Sequence, residues 1–346
     1  MLDDRLSATP RDAMDPLPSW NETPTKHAIL QFVADVCDPT SASYVPPQAR
    51  IATFDNDGTL WCEKPYLIEI AFALQRLIAR AEADPRLRER QPYKALLAGD
   101  FSSFAHLLPH HISDALRLGA AMPEILRLIY QSHVGMSQAV FEQEATAFFA
   151  EARHPRFGVP YKQTVYQPML ELVRYLQAQS FKVYVSSAGG MGFMRVVSEE
   201  LYGIPRENVI GSDVRLKFQM GPNGPELIRV AGVNEPIDDG AGKPINIELH
   251  IGRWPVLACG NANGDIEMLQ LARGSGYHHL CLLVRHDDPD REYAYDAHAE
   301  KAHALANEAG WLVVSMKDDF RVVFAFQATN NTSIAVEGHL SSPDAD

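Results

Sequence analysis

The sequence predicts an α/β protein with a parallel central sheet and an inserted helical region. Three observations predict this fold class. Short apolar segments of strand-like composition alternate with amphipathic helical patterns, which is typical of a parallel sheet covered on both faces. Strand signals are scarce over a long stretch that follows the first of these segments, where the apolar spacing is helical. The 346 residues, 46% hydrophobic and 22% charged, have an ordinary globular composition.

The chain opens with a segment rich in Asp, Pro, Ser and Thr, and we expect residues 1–24 to be an irregular lead-in. Thr25 is expected to cap a helix through about Cys37, because apolar residues follow it at helical spacing. Residues 50–54 then form an apolar run after two prolines, which predicts a buried strand.

The helical stretch covers residues 63–156. Two apolar stripes at helical spacing support it, formed by Leu67, Ile70, Ala71, Leu74 and Leu77 and by Met122, Ile125, Leu126 and Ile129. We therefore predict a core made of residues 25–62 and 157–327, with residues 63–156 inserted as a helical cap.

Strand and helix patterns alternate again in the second half of the chain. We predict helices over residues 167–179 and 191–202, a hairpin of residues 209–220 and 226–230, and strands over residues 182–185, 254–259, 280–285 and 311–316. The polar segment 328–346 is expected to be a disordered tail.

The charge balance limits the partners. Lys and Arg number 31 against 44 acids, a net charge of −13, which argues against nucleic acids and anionic membranes as partners. A phosphate site in such a chain must be made locally positive, most simply by a bound cation. The first residues lack an apolar signal region and the four cysteines are widely spaced, so we expect a cytoplasmic protein, although an exported mature form would look the same.

Polar clusters follow three of the predicted strands: Asp55 with Asp57, Ser186 with Ser187, and residues 261–265. Because the carboxyl ends of parallel strands meet at one edge of a sheet, we expect these clusters to share a crevice. Two carboxylates this close favour a cation between them, and Mg²⁺ prefers oxygen ligands. Asp55, Asp265 and the backbone carbonyl of Asp57 could supply them, with Gly58 permitting the tight turn.

These residues resemble the four motifs of the haloacid dehalogenase-like (HAD) hydrolase superfamily, in the same order along the chain. Phe54-Asp55-Asn56-Asp57-Gly58-Thr59-Leu60 resembles the first motif and Ser187 the second. Lys243 resembles the third motif, and residues 260–265 resemble the fourth. The resemblance covers about residues 48–325 and implies a Rossmann-like core.

The resemblance also implies a mechanism and a cofactor. Asp55 would attack phosphorus to form an aspartyl-phosphate, and Asp57 would act as general acid and then general base. Ser187 and Lys243 would hold the phosphoryl group, while Asp55, the Asp57 carbonyl and Asp265 would bind Mg²⁺. The superfamily's dehalogenases have one aspartate in the first motif and need no metal, so Asp57 favours a phosphatase.

The insert and the residues that differ from the family motifs bear on the expected substrate and on the metal affinity. The insert resembles a type-one cap, as in phosphoserine phosphatase, which favours a small phosphorylated metabolite as substrate, such as a phosphoserine-like ester. Asn261 stands where the fourth motif more often has aspartate, which leaves the metal affinity open. Glu63 could contact a substrate ammonium group or be a first-turn helix acid, and Arg195 could bind an anionic group or a surface acid.

Two other functions stay open at this point. A phosphotransferase would pass the same phosphoryl group from Asp55 to an acceptor other than water. A catalytically silent protein would bind a phosphate ester without turnover. A dehalogenase is a more distant alternative, and the oligomeric state is not predicted.

Overall fold

The computed structural model describes residues 15–99 and 132–328, and its core is a seven-stranded sheet. Six strands run in the order β3-β2-β1-β6-β7-β9 and are parallel, and the short β8 pairs antiparallel with the end of β7. The strands of this sheet are β1 (Ile51–Phe54), β2 (Lys182–Gly190), β3 (Val209–Ser212), β6 (Leu257–Gly260), β7 (Leu280–Asp287), β8 (Ala294–Tyr295) and β9 (Leu312–Ser315). The predicted α/β class with a mostly parallel sheet is confirmed.

Helices cover both faces of the sheet. In chain order they are α1 (Pro24–Cys37), α2 (Ile68–Ala83), α3 (Tyr93–Leu97), α4 (Gln138–Glu151), α5 (Gln167–Ala178), α6 (Met191–Arg195), α7 (Ser198–Tyr202), α8 (Gly242–Ile251), α9 (Ile266–Arg273), α10 (Glu300–Ala309) and α11 (Met316–Asp319). Helices α1 and α5 share one buried core with Cys259 and Leu282. Helices α8, α9 and α10 share a second core with Ala258 and Cys281. Neighbouring strand residues thus face opposite layers, as the pleat requires.

The strand register brings the polar clusters together. Phe54, the last residue of β1, pairs with Val185 of β2 on one side and with Cys259 of β6 on the other. Asp55, Ser186 and Gly260 come directly after these three paired residues, and the three strands run in parallel. The polar residues at these positions and just beyond them therefore lie at one edge of the sheet.

Helices α2, α3 and α4 lie within the predicted insert, and α2 is buried on two sides. Ile70, Leu74 and Leu77 pack with Tyr93 and Leu96 in a small separate core. Phe72 points the other way, into an aromatic cluster with Phe141, Phe148 and Phe193. Since Phe193 belongs to α6, this cluster attaches the insert to the sheet-bearing part. The second predicted stripe, at residues 122–129, lies outside the described residues, as do residues 1–14 and 329–346.

Several predicted elements have different bounds in the structure. The first helix begins at Pro24, and its cap is Thr23, not Thr25, because the Thr23 side chain accepts from the Lys26 amide. The helix predicted over residues 191–202 is two helices, since Val197 leaves helical dihedrals (φ −128°, ψ −9°). The strand β6 begins only at Leu257, after Pro255, which has no amide hydrogen for a sheet.

The long strand predicted over residues 209–220 is two strands with different partners. Val209–Ser212 is β3, parallel to β2 in the main sheet. Val214–Gly221 is β4, which forms an antiparallel hairpin with β5 (Gly224–Val233). The hairpin prediction is confirmed, but its first strand starts at Val214 because the chain leaves the main sheet at Asp213. No helix in the described parts of the chain has the length and apolar character of a membrane span.

Candidate active site

The predicted site residues line one cleft at the edge of the sheet. Its volume is about 280 Å³, and its lining includes Asp55, Asp57, Ser187, Lys243, Asn261 and Asp265. Asp55, Asp57, Asn261 and Asp265 follow strands, and Lys243 lies in the first turn of α8. Ser187 lies within β2, because this strand continues to Gly190, beyond the predicted end at residue 185. The structure therefore brings together residues that are up to 210 positions apart in the chain.

Lys243 is the central cation of the site. Its Nζ lies 2.6 Å from Asp55 Oδ1, 2.8 Å from Asp265 Oδ1 and 2.6 Å from the carbonyl oxygen of Ser186. Gly242 permits this placement, because a β-carbon there would lie 1.7 Å from the carbonyl oxygen of Ile237. Burial opposes the charge of Lys243, but the nearby carboxylates outweigh burial and raise its pKa above the ordinary value.

Asp55 is held at the end of β1. Its backbone amide donates to the carbonyl of Cys259 at 2.8 Å, which continues the pairing of β1 with β6. Only 7% of the residue is exposed. Burial and the negative charge of Asp265 raise the pKa of Asp55, and Lys243 offsets part of this effect. A second cation beside Asp55 would therefore be stabilising.

Asp57 lies next to Asp55 but has different partners. The indole Nε1 of Trp61 donates to Asp57 Oδ1 at 2.8 Å, and the hydroxyl of Ser187 donates to Oδ2 at 3.4 Å. Burial, together with the charges of Glu63 and Glu69, raises the pKa of Asp57 to about 7. A carboxyl group that titrates near neutral pH can both give and take a proton.

The turn after Asp57 is held by residues that the sequence analysis missed. Gly58 has a φ of +75°, in the region that glycine favours, as predicted for a tight turn. The carbonyl of Gly58 accepts from His286 Nε2 at 2.9 Å, and His286 Nδ1 lies 3.3 Å from Glu292 Oε2. Both side chains are buried. The pair holds the turn in place, although 228 positions separate His286 from Gly58.

Asp265, predicted to bind the metal, has other partners in the structure. One carboxylate oxygen binds Lys243, and the other accepts from the backbone amides of Asn261 and Ala262, both at 3.0 Å. No group of three His, Cys, Asp or Glu side chains suited to a metal occurs in the described ranges. Asp265 therefore orients Lys243 and its own loop, and its role as a metal ligand stays a prediction.

Asn261, in the same loop as Asp265, faces the residues of the first motif. One end of its amide lies 3.0 Å from the carbonyl oxygen of Asp57, 3.2 Å from Asp55 Oδ2 and 3.1 Å from Thr59 Oγ1. With Mg–O bonds of roughly 2.1 Å in an octahedron, neighbouring ligand oxygens lie about 3.0 Å apart. An oxygen at this end of Asn261 would lie at about this spacing from the Asp57 carbonyl oxygen and from Asp55 Oδ2. The residues present therefore fit a Mg²⁺ ion, with two side-chain oxygens and one backbone oxygen.

Of the remaining predicted residues, Glu63 and Ser187 line the cleft and Arg195 does not. Glu63 lines the cleft close to the Gly58 turn. Ser187 is buried, and its hydroxyl also accepts from the amide of Gly189 at 3.1 Å. Arg195 lies outside the cleft lining, and its guanidinium donates to the backbone carbonyls of Arg206 and Val209 at 2.9 and 3.2 Å. Arg195 therefore stabilises the core rather than the cleft.

Comparison with known proteins defines the class. The family model for haloacid dehalogenase-like hydrolases matches residues 52–270, well over half of the chain. The chain therefore belongs to this hydrolase family, as its four motifs predicted. No curated protein sequence matches the chain.

Solved structures give weaker similarities. A conserved protein of unknown function from Anaerococcus prevotii is 14% identical with a TM-score of 0.48, covering 84% of this chain and 91% of its own. A protein of unknown function from Bordetella pertussis is 11% identical with a TM-score of 0.47, covering 77% and 97%. A phosphoserine phosphohydrolase-like protein from Francisella tularensis is 13% identical with a TM-score of 0.39, covering 73% and 92%. The family assignment rests on the family model, since these TM-scores are below 0.5.

Proposed function

We propose that this hydrolase is a Mg²⁺-dependent phosphatase that acts on a small phosphomonoester through an aspartyl-phosphate at Asp55. One observation carries the proposal. The Asp55 carboxylate has Lys243 bound to one oxygen, while its other oxygen faces the Asn261 amide, which also lies 3.0 Å from the Asp57 carbonyl oxygen. A carboxylate whose orientation is fixed by a buried cation is suited to attack a phosphoryl group.

The metal would be held by Asp55 Oδ2, the carbonyl oxygen of Asp57 and the side-chain oxygen of Asn261. When bound there, Mg²⁺ supplies positive charge that neutralises the phosphoryl oxygens and the developing charge of the reaction. The chain has a net charge of −13, so a phosphate site in it must be made locally positive. A bound Mg²⁺ ion would supply this positive charge.

The reaction would proceed in two steps, in which Asp55 is the nucleophile and Asp57 transfers the protons. In the first step an Asp55 oxygen attacks phosphorus, the bond from phosphorus to the alcohol oxygen breaks, and Asp57 gives its proton to that oxygen. In the second step Asp57 takes a proton from water, the water oxygen attacks phosphorus, and the Asp55 carboxylate leaves. Lys243 and Ser187 donate hydrogen bonds to the phosphoryl oxygens in both steps.

The substrate would be small. A cleft of about 280 Å³ is near the lower limit of ligand pockets and suits a phosphorylated metabolite rather than a protein or nucleic acid. Glu63 lines this cleft and would bind a substrate ammonium group, so a phosphoserine-like ester is the first candidate. The acidic net charge supports the same choice, because it disfavours polyanionic partners.

The test is hydrolysis of p-nitrophenyl phosphate by the full chain, with MgCl₂, after dialysis against EDTA, and after MgCl₂ is added back. We expect turnover that is lost with EDTA and restored by Mg²⁺. Turnover that survives complete metal removal would contradict the proposed metal dependence. Added alcohols separate the alternatives: a phosphotransferase would form the new phosphoester, whereas a phosphatase releases inorganic phosphate. A panel of phosphomonoesters that includes phosphoserine then tests the substrate class.

A further inference from the structure

The Asn261 amide can face Asp55 and Asp57 with either of its two ends. Its nitrogen would donate hydrogen bonds there, and its oxygen would bind a metal. Its inward end faces Asp55 Oδ2 and the Asp57 carbonyl oxygen, at 3.2 and 3.0 Å. We propose that this amide takes two orientations, with nitrogen inward in the metal-free protein and oxygen inward when Mg²⁺ is bound. The inference rests on the proposed Mg²⁺ dependence and adds a role for the residue that departs from the family motif.

The metal-free orientation follows from hydrogen bonding. An ionised carboxylate and a backbone carbonyl only accept hydrogen bonds, and buried acceptors need a donor. Asn261 is 4% exposed and Asp55 is 7% exposed, so water has little access to either. The amide NH₂ group has two hydrogens, which serve these two acceptors. An aspartate at this position would donate nothing and would add a third negative group beside Asp55.

The metal-bound orientation follows from ligand chemistry. An amide nitrogen is not a ligand for Mg²⁺, whereas an amide oxygen is, so the side chain must turn by half a rotation about its last bond. This turn breaks the hydrogen bonds to Asp55 and Asp57 before the metal contacts replace them. Compared with an aspartate at this position, Asn261 therefore lowers the charge repulsion in the metal-free site and also lowers the affinity for Mg²⁺.

The Asn261→Asp variant tests both effects, on the stability of the metal-free protein and on its affinity for Mg²⁺. Isothermal titration of MgCl₂ into EDTA-treated protein should show binding at least about ten-fold tighter in the variant, because the ligand charge increases. The melting temperature of the metal-free variant should be below that of the wild type, and Mg²⁺ should raise it by more. The matched control is Asn263→Asp, which adds the same charge in the same loop. Asn263 Oδ1 accepts from the amides of Lys301 and Ala302, which an aspartate can continue to do. The control loses only the bond from Asn263 Nδ2 to Glu300, at 3.4 Å, so it should lower the melting temperature somewhat and leave Mg²⁺ affinity little changed.

The rotation itself has a spectroscopic readout that does not depend on turnover. In protein labelled with ¹⁵N at asparagine, the Asn261 NH₂ signal is identified by its loss in Asn261→Asp. We expect it to shift when Mg²⁺ is added, as its two hydrogen bonds break. An unshifted signal at saturating Mg²⁺, or a variant that binds Mg²⁺ no tighter than the wild type, would overturn the inference alone. Absence of Mg²⁺ binding in both proteins would overturn it together with the proposed metal dependence.

Discussion

The Asp55→Asn variant is expected to lose p-nitrophenyl phosphate hydrolysis while it keeps its fold. An amide oxygen is a poor nucleophile, so we expect kcat to fall by at least about 10³-fold. The fold should persist, because an asparagine oxygen can still accept from Lys243, and Lys243 keeps Asp265 and the Ser186 carbonyl as partners. Steady-state kinetics and the melting temperature of the same preparation measure both effects.

A surface carboxylate provides the matched control for this change. Asp290 is exposed and does not line the cleft, so Asp290→Asn removes one negative charge without touching the site. We expect its kcat to equal that of the wild type. An Asp55→Asn protein with turnover within about ten-fold of the wild type would show that another group is the nucleophile.

The Lys243→Met variant should lose both activity and stability. Lys243 is 1% exposed, and its removal leaves Asp55 and Asp265 buried near each other without the cation between them. Breaking a buried ion pair in this way costs about 3–5 kcal/mol of the free energy of unfolding. We expect kcat to fall by about 10²-fold or more, because the phosphoryl oxygens lose a charged donor. Urea unfolding and kinetics measure the two losses.

A second substitution separates electrostatics from packing in this variant. Adding Asp265→Asn removes one of the two buried carboxylates that have lost their cation. The double variant should therefore regain part of the stability but none of the activity. Lys217→Met, at an exposed lysine of β4, is the matched control and should change stability by no more than about 0.5 kcal/mol. A Lys243→Met protein as stable as this control would contradict the role of Lys243 as the charge centre.

Much of the fold could be predicted because local pattern and global topology agree. The β1 residues before Asp55 are apolar except for Thr53, and all four residues of β1 are buried. Parallel pairing then forces the ends of β1, β2 and β6 to one edge, which is why polar clusters far apart in the chain meet. The split at Asp213 was not predictable in this way, because β3 and β4 both have strand-like composition and differ only in their partners.

The site was predictable as a set of residues but not as a set of contacts. Asn261 and Asp265 are four positions apart, and both have oxygen atoms that a metal could use. Only the three-dimensional turn shows that the Asp265 carboxylate folds back onto the amides of its own loop, which leaves Asn261 facing Asp57. His286 and Glu292 left no local signal, because the turn they support is more than 200 positions away.

The most direct test of the central claim is to trap the phosphoryl group on Asp55. In an Asp57→Asn variant the first step should proceed with p-nitrophenyl phosphate, whose leaving group needs little protonation, while the second step lacks its base. Acid quenching and mass spectrometry should then show a mass gain of one phosphoryl group on the peptide that contains Asp55. No mass gain in a folded variant that binds Mg²⁺, or a phosphoryl group on any other residue, would contradict the account.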